Sequence, residues 1–152
     1  MKSYGGDDRP RGARGFVRIN GIQVTQNHDI RGFRLVRLDD DCSVKEKKTF
    51  DTHFSIQESR KMTDYLKSLP YNTRIAGIAS TTQNLSSSLK SELRVIGLNM
   101  TSASWRSAHC FTFTIGKPQY TKQSQVKKGR NHQIYLQFYN LFELLEISII
   151  LI

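Results

Sequence analysis

The sequence predicts one α+β domain in which a mixed β-sheet sandwich packs with two to three helices. Three observations predict this class. The length of 152 residues suits one domain, period-two apolar runs are interleaved with two amphipathic stretches, and no internal repeat is present. The order strands, helix, strand, helix, strand is typical of an α+β fold. We expect a flexible basic lead-in over 1–14, a compact domain over 15–118, and a basic linker with an apolar tail over 119–152.

Strand patterns open the predicted domain. In "FVRINGIQV" (16–24), Asn20-Gly21 separates two short apolar-alternating runs, and this dipeptide tolerates positive φ at both turn positions, which indicates a β-hairpin. "RGFRLVRLD" (31–39) predicts a strand with apolar side chains on both faces, and "KKTFDTHF" (47–54) predicts its antiparallel partner. The alternation places Phe33 and Leu35 on one face, and Arg34, Val36 and Leu38 on the other.

Two amphipathic stretches predict helices. Ser55 followed by Glu58 is the pattern of a capping box, and Pro70 ends the first helix. Its apolar stripe consists of Met62, Tyr65, Leu66 and Leu69. Gly97 is the expected C′ residue of the second helix. The stripe of that helix consists of Leu85, Leu89, Leu93 and Ile96. "TRIAGIAS" (73–80) predicts a buried strand between the helices, and "HCFTFTIGK" (109–117) predicts the last strand.

The apolar tail differs in composition from the rest of the chain. "IYLQFYNLFELLEISIILI" (134–152) is long enough to span a membrane, but Glu143 and Glu146 would be costly at mid-bilayer. An amphipathic helix is the favoured interpretation, because helical spacing relates Leu141, Leu144, Leu145 and Ser148. The other interpretation is that translated non-coding sequence supplies the tail, which would then not be native to the domain.

The chain is strongly basic, with a net charge of +10 and a sequence pI of about 9.9. This charge favours anionic partners, such as nucleic acid, acidic glycans or lipid headgroups, without choosing among them, and a solvated basic surface is the plain alternative. The sequence lacks the aromatic pattern of an RNA-recognition motif, a zinc-ligand spacing and a dinucleotide-binding fingerprint. Nucleic acid, metal and cofactors are therefore not expected, and a membrane is expected as a partner only through the tail.

Sequons and cysteines suit an extracellular compartment. N-x-[ST] sequons begin at Asn84 and Asn99, which predicts N-glycosylation if the chain is secreted. Cys42 and Cys110 can form one disulfide in an oxidising compartment. Residues 1–14 are polar and Gly-rich and lack the apolar segment of a signal peptide. A secreted chain of this kind is then expected to be a fragment that has lost its leader.

Several short motifs occur in an order that resembles one family. They are Arg31-Gly32-Phe33, Phe50-Asp51-Thr52, Leu69-Pro70, the small-residue strand 75–80, the helix over 85–98, and Gly116-Lys117. With them, the segment 15–117 resembles the interleukin-like EMT inducer domain, also called the GG or PANDER-like domain. The segment 16–24 resembles the sequence preceding that domain in the group of the cell-migration-inducing hyaluronan-binding protein. The order of the motifs is specific, whereas no single motif is.

The resemblance implies a non-catalytic, secreted module that binds a carbohydrate or glycoprotein. One alternative is a cytokine-like signalling ligand with a cell-surface receptor, and another is a fragment of a larger hyaluronan-processing cell-surface protein. In a sugar-binding relative, an acid and an arginine act together. Here Ser80-Thr81-Thr82-Gln83 stands where the family has an acid-containing run, so the acid is absent. Arg106 and Trp105 remain, and with Thr81 they are the candidate ligand-binding residues.

The stretch around Asp51 and His53 resembles a catalytic pair at first sight. Residues two apart on a strand share a face, so the two side chains can meet as an acid–base pair. No Ser or Cys nucleophile lies in an elbow motif, so we do not expect an enzyme. Asp51 is instead expected to bond backbone N–H groups where the strand turns into the helix. Phe50 and Phe54 are expected to face the core there, and Gly32 completes the expected structural set.

Overall fold

The computed structural model describes residues 17–25, 32–80, 84–100, 108–126, 138–139 and 144–145. It confirms a compact α+β domain. The strands are β1 (Arg18–Ile19), β2 (Ile22–Gln23), β3 (Gly32–Leu38), β4 (Val44–Phe50), β5 (Arg74–Ser80), β6 (Ala108–Thr114), β7 (Lys122–Val126), β8 (Phe138–Tyr139) and β9 (Leu144–Leu145). The helices are α1 (Ile56–Ser68) and α2 (Ser87–Val95), and Pro118–Tyr120 forms a short 3-10 helix.

The main sheet has the strand order β4-β3-β5-β6-β7, and each neighbouring pair in it is antiparallel. The mixed sheet expected from the sequence is wrong in this respect. Helix α1 carries the chain back to the end of the sheet where β4 began, so β5 runs in the direction of β4. Because β3 lies between those two strands, no parallel pair forms within the described sheet.

The two faces of the sheet pack against different partners. Phe33 and Leu35 of β3 face the helices, in one core cluster with Met62 of α1 and Leu89 of α2. The alternate residues of β3 face the β1–β2 hairpin, in a second cluster that contains Val17, Ile19, Val36, Leu38, Ala76, Ile78 and Cys110. The alternation read from the sequence is confirmed, and the sheet is buried on both faces because it lies between the helices and the hairpin.

The hairpin turn and the helix starts follow from local chemistry. Asn20 and Gly21 have φ values of 49° and 76°, as a two-residue hairpin turn requires. The Ser86 hydroxyl caps α2 by accepting the N–H of Leu89 at 3.1 Å. The Ser55 hydroxyl caps α1 by accepting the N–H of Gln57 at 3.2 Å.

The reciprocal half of the expected capping box is absent from α1. The Ser55 N–H donates to the carbonyl oxygen of Asp51 at 3.3 Å, so it does not need the Glu58 carboxylate. Glu58 instead pairs with Lys61 at 2.6 Å. The preceding turn therefore replaces the side chain that the capping-box pattern supplies.

Strand β7 was not expected, since residues 119–133 read as a polar linker. It pairs with β6 as the edge of the main sheet, where polar side chains can face water. A polar strand of this kind shows no apolar alternation in the sequence. In the tail, β8 and β9 pair antiparallel through Phe138↔Leu145 and Tyr139↔Leu144. The expected amphipathic helix is wrong at these positions, because periodicity alone does not separate a short apolar strand from a helix. Among the described residues, no helix is long and apolar enough to cross a membrane.

Candidate functional site

The three ligand-binding residues predicted from the sequence, Thr81, Trp105 and Arg106, lie outside the described residues. Most of the other predicted residues lie toward one of two opposite ends of the sheet. We call the end where β3 begins and β4 stops the Gly32 end. The opposite end, where β5 begins and β6 stops, is the Arg74 end.

At the Gly32 end, Asp51 holds the corner between β4 and α1. Its carboxylate accepts the N–H of Phe54 at 3.2 Å, and its carbonyl oxygen accepts the N–H groups of Phe54 at 3.2 Å and Ser55 at 3.3 Å. The Nδ1 atom of His53 is buried without a hydrogen-bond partner among the described residues, so it is not held by the Asp51 carboxylate. The geometry is that of a turn, and Asp51 and His53 are not arranged as a hydrogen-bonded pair through Nδ1.

Gly32 and Phe50 pack tightly beside this corner. Gly32 has a φ of 94°, and a Cβ atom there would run into the carbonyl of Phe50 and the N–H of Thr52. Phe50 is buried, and its ring centroid lies 5.7 Å from that of Tyr65 on α1. Phe54, by contrast, is 74% exposed. The expectation that Phe54 faces the core is wrong, because the turn made by Asp51 takes residue 54 out of the strand alternation.

The two sequon asparagines are both exposed, but only one braces the corner through its side chain. The Asn84 Nδ2 donates to the carbonyl of His53 at 2.7 Å, and its N–H donates to the carbonyl of Thr52 at 3.0 Å. The Asn99 N–H donates to the side-chain oxygen of Gln123 at 2.9 Å. Asn84 thus ties the start of α2 to the corner, and glycosylation at either residue stays a prediction.

The two cysteines are buried, free and far apart. Cys42 lies in the turn between β3 and β4, just beyond the pair Leu38↔Val44. Leu38 also pairs with Arg74, the first residue of β5. Cys110 lies opposite Ile78, four residues further along β5, or roughly 13 Å at the usual rise of a strand. A disulfide needs Cα atoms within about 7 Å. The expected disulfide is therefore wrong for this fold.

At the Arg74 end, two exposed tyrosines flank a lysine. Tyr71 follows the Pro70 that ends α1, and Tyr120 lies in the short 3-10 helix after β6; they are 66% and 57% exposed. The Nζ atom of Lys117 lies 5.9 Å from the ring centroid of Tyr71 and 5.8 Å from that of Tyr120. Both distances are in the range of cation–π contacts. We call this group the Tyr71–Lys117–Tyr120 surface.

Backbone hydrogen bonds hold the two loops that carry this surface. The Asn72 N–H donates to the carbonyl of Ile115 at 3.0 Å, and the Ile115 N–H donates to the carbonyl of Thr73 at 2.9 Å. Gly116 has a φ of 78°, and a Cβ atom at this position would collide with the ring of Tyr71. The Tyr71 ring therefore packs directly on the backbone of Gly116, in space that the side chain of any other residue would occupy.

The turn that carries Tyr120 is tied to the end of α2. The Tyr120 N–H donates to the carbonyl of Lys117 at 3.0 Å, which closes the turn. The Thr121 hydroxyl donates to the carbonyl of Ile96, at the end of α2. The surface is thus built on braced turns, so a ligand would not have to order these loops on binding.

This surface was not expected from the sequence. Its only local signal was the position of the tyrosines, since both lie within two residues after a proline, in segments with no apolar periodicity. Aromatic residues in such turns are candidates for exposure, but the approach of segments 46 residues apart could not be read from the chain. In the described part of the chain, no group of three or more His, Cys, Asp or Glu side chains could hold a metal ion.

Comparison with known proteins gives one family. The family model described as interleukin-like EMT inducer matches residues 31–117, which is more than half of the chain. Tyr71 and Lys117 lie within the matched segment, and Tyr120 lies just beyond it. No curated protein matches the chain.

Proposed function

Because the chain belongs to the interleukin-like EMT inducer family, we propose that it is a non-catalytic extracellular module that binds a carbohydrate or glycoprotein. The family is cytokine-like by description, and the extracellular location is proposed on that basis. The observation that carries the binding role is the Tyr71–Lys117–Tyr120 surface. A place within a longer hyaluronan-processing protein is compatible with this role, since catalysis would then belong to other domains.

Exposed tyrosines on braced turns suit carbohydrate recognition. A tyrosine ring offers a flat apolar face together with a polar hydroxyl. A pyranose has the matching properties, since its C–H face stacks on a ring while its hydroxyls exchange hydrogen bonds with phenol and ammonium groups. Neither the Tyr71 nor the Tyr120 hydroxyl is hydrogen-bonded to another described residue, whereas the half-buried Tyr65 donates to Glu46 at 3.1 Å. Both exposed hydroxyls therefore remain available to a ligand.

A glycan microarray probed with the purified chain tests the proposal. We expect saturable binding to a subset of glycans, and a loss of about tenfold or more in affinity when Tyr71→Ala and Tyr120→Ala are combined, as for removal of aromatic anchors worth about 1.4 kcal/mol. Ile22→Ala is the matched control, because Ile22 is also exposed but lies on the β1–β2 hairpin. Thermal melting of each variant shows whether it is folded.

One result would contradict the proposed role, and another would contradict the proposed site. Absence of signal on the array at high protein concentration would exclude the carbohydrate role. Binding that Arg106→Ala abolishes while the tyrosine variant retains it would keep the role but move it to the residues predicted from the sequence.

A cytokine-like ligand is the second candidate function, and exposed tyrosines favour it too because tyrosine is enriched at the energetic centres of protein interfaces. In that case the chain binds cells saturably, and the binding survives treatment of the cells with glycosidases. Loss of cell binding after glycosidase treatment favours the carbohydrate role.

A further inference from the structure

We propose that Asn84 carries an N-linked glycan whose first N-acetylglucosamine packs on the exposed ring of Phe54. The inference needs the proposed extracellular location, because N-glycosylation takes place in the secretory pathway. It does not depend on what binds the Tyr71–Lys117–Tyr120 surface. It concerns the Gly32 end of the sheet, where the corner between β4 and α1 brings a sequon asparagine beside an exposed aromatic residue.

Two hydrogen bonds hold Asn84 against the peptide unit that leads into Phe54. Its Nδ2 atom donates to the carbonyl oxygen of His53 at 2.7 Å, and its backbone N–H donates to the carbonyl oxygen of Thr52 at 3.0 Å. The carbonyl of His53 and the N–H of Phe54 belong to one planar peptide unit. The nitrogen that would carry the glycan therefore lies next to Phe54, although Asn84 follows His53 by 31 residues in the chain.

The Phe54 ring presents an apolar surface at this corner. It is 74% exposed, more than any other large apolar side chain in the described part of the chain. An aromatic ring has a broad apolar face. N-acetylglucosamine has matching apolar groups, namely the C–H face of its pyranose ring and the methyl of its acetyl group. Contact between the two would remove apolar surface from water, which is favourable.

The sugar would start from a position that the fold already defines. It is joined directly to Nδ2, and Asn84 is held through both its side chain and its backbone, so few bond rotations remain to be frozen on contact. Glycosylation replaces one of the two Nδ2 hydrogens, and the other remains to donate to the carbonyl of His53. That hydrogen bond is exposed, and a sugar covering it would exclude water and strengthen it.

The second sequon offers a comparison within the same chain. Asn99 is also exposed, but it lies between Leu98, which is buried, and Met100, which is half-buried. Its backbone N–H is bonded to Gln123, a polar residue of β7. These neighbours present no exposed ring. We therefore expect a glycan at Asn99 to project from the surface without stabilising the domain.

The donor for the transfer is a lipid-linked oligosaccharyl diphosphate. The Nδ2 of Asn84 forms a bond to C1 of the first sugar, the bond from C1 to the diphosphate oxygen breaks with its electron pair, and one Nδ2 proton is released. In the folded domain the hydroxyl of Ser86, the third residue of the sequon, accepts the N–H of Leu89 at 3.1 Å as the cap of α2. The transferase recognises this hydroxyl, so the transfer precedes folding of α2.

Thermal unfolding of three glycoforms tests the inference. The chain is secreted from mammalian cells as a high-mannose glycoprotein and carries Asn99→Gln, so that Asn84 begins its one remaining sequon. The first sample keeps the full glycan, endoglycosidase H trims the second to a single N-acetylglucosamine, and bacterial expression supplies the third without a glycan. We expect the first two to melt at the same temperature, about 4 °C or more above the third. Peptide mass spectrometry locates the glycan at Asn84.

Variants of Phe54 identify the contact. Phe54→Ala is expected to remove the difference between the glycoforms, and Phe54→Trp is expected to keep it, because tryptophan retains an aromatic face. Ile22→Ala is the matched control, since Ile22 is 69% exposed on the β1–β2 hairpin and its loss should leave the difference intact. A chain with Asn84→Gln and an intact Asn99 should melt at the same temperature with and without its glycan.

Three results would overturn the inference. They are a secreted chain without a glycan at Asn84, equal melting temperatures of all three glycoforms, and a stabilisation that Phe54→Ala leaves unchanged. None of them bears on the proposed function, whose test is the loss of array binding in the tyrosine variant. That loss is expected in all three glycoforms, because the Tyr71–Lys117–Tyr120 surface lies at the opposite end of the sheet.

Discussion

His109 illustrates how the fold changes the chemistry of a single residue. It lies on β6, on the face of the sheet that also presents Phe111 and Phe113 to the helices. Its side chain is only 2% exposed. Burial disfavours the charged imidazolium, and this lowers the pKa of His109 from 6.5 to about 4. In the sequence the residue is one of four scattered histidines, and the size of its pKa shift depends on the helices that cover this face of the strand.

The depressed pKa predicts that the domain loses stability in mild acid. The unfolded chain binds a proton near pH 6.5 and the folded chain only near pH 4, so stability is complete above pH 6.5 and falls as the pH drops through this window. The slope is at most about 1.4 kcal/mol per pH unit. Urea unfolding of the wild type and of His109→Gln at pH 7 and pH 5 measures it. The variant should show a smaller loss, and an equal loss in both would contradict the assignment.

At the scale of elements, the corner between β4 and α1 depends on hydrogen bonds that the sequence indicated. Asp51 accepts backbone N–H groups there, and Asn84 adds a tie to the start of α2. What could not be read from the sequence was the exit of Phe54 from the strand pattern. A side chain that ends a period-two run faces the core only if the strand continues, and the turn at Asp51 ends it one residue after Phe50.

Replacement of Asp51 separates a structural from a ligand-binding role. Asp51→Ala removes the carboxylate that accepts the Phe54 N–H and leaves only the backbone carbonyl as acceptor, and we expect a loss of about 1–2 kcal/mol in the free energy of unfolding, as for a lost helix cap. Glycan binding of the folded variant should be unchanged, because the Tyr71–Lys117–Tyr120 surface lies at the other end of the sheet. Denaturant unfolding and the glycan array measure the two effects. Lost binding at unchanged stability would contradict the structural role.

For the molecule as a whole, the separation of the cysteines has a direct consequence. The domain is held together by two apolar clusters, one on each face of the sheet, without a cross-link between Cys42 and Cys110. Cys110 is fully buried in the cluster under the hairpin, and burial raises the pKa of its thiol to about 12. A thiol in this state is both inaccessible and protonated at neutral pH.

We therefore expect both thiols to be reduced in the folded protein. Thiol titration after unfolding in denaturant should count two, the number in the sequence, and a reducing agent should leave the melting temperature unchanged. In the native state, Cys110 should react slowly with a thiol reagent, because the reactive thiolate is suppressed. Destabilisation by about 2–4 kcal/mol on reduction would instead reveal a disulfide.

The sequence by itself determined the α+β class, the family, and most elements of the sheet and helices. These depend on periodicity, capping residues and turn chemistry, which act between residues close together in the chain. The tertiary structure alone decided the antiparallel pairing of β5 with β3, the position of β7 at the sheet edge, and the distance between the cysteines. It also placed Lys117 between Tyr71 and Tyr120. The physical reason is that burial, pKa and side-chain approach depend on which distant segments share a row or an end of the sheet, and local patterns carry no information on that.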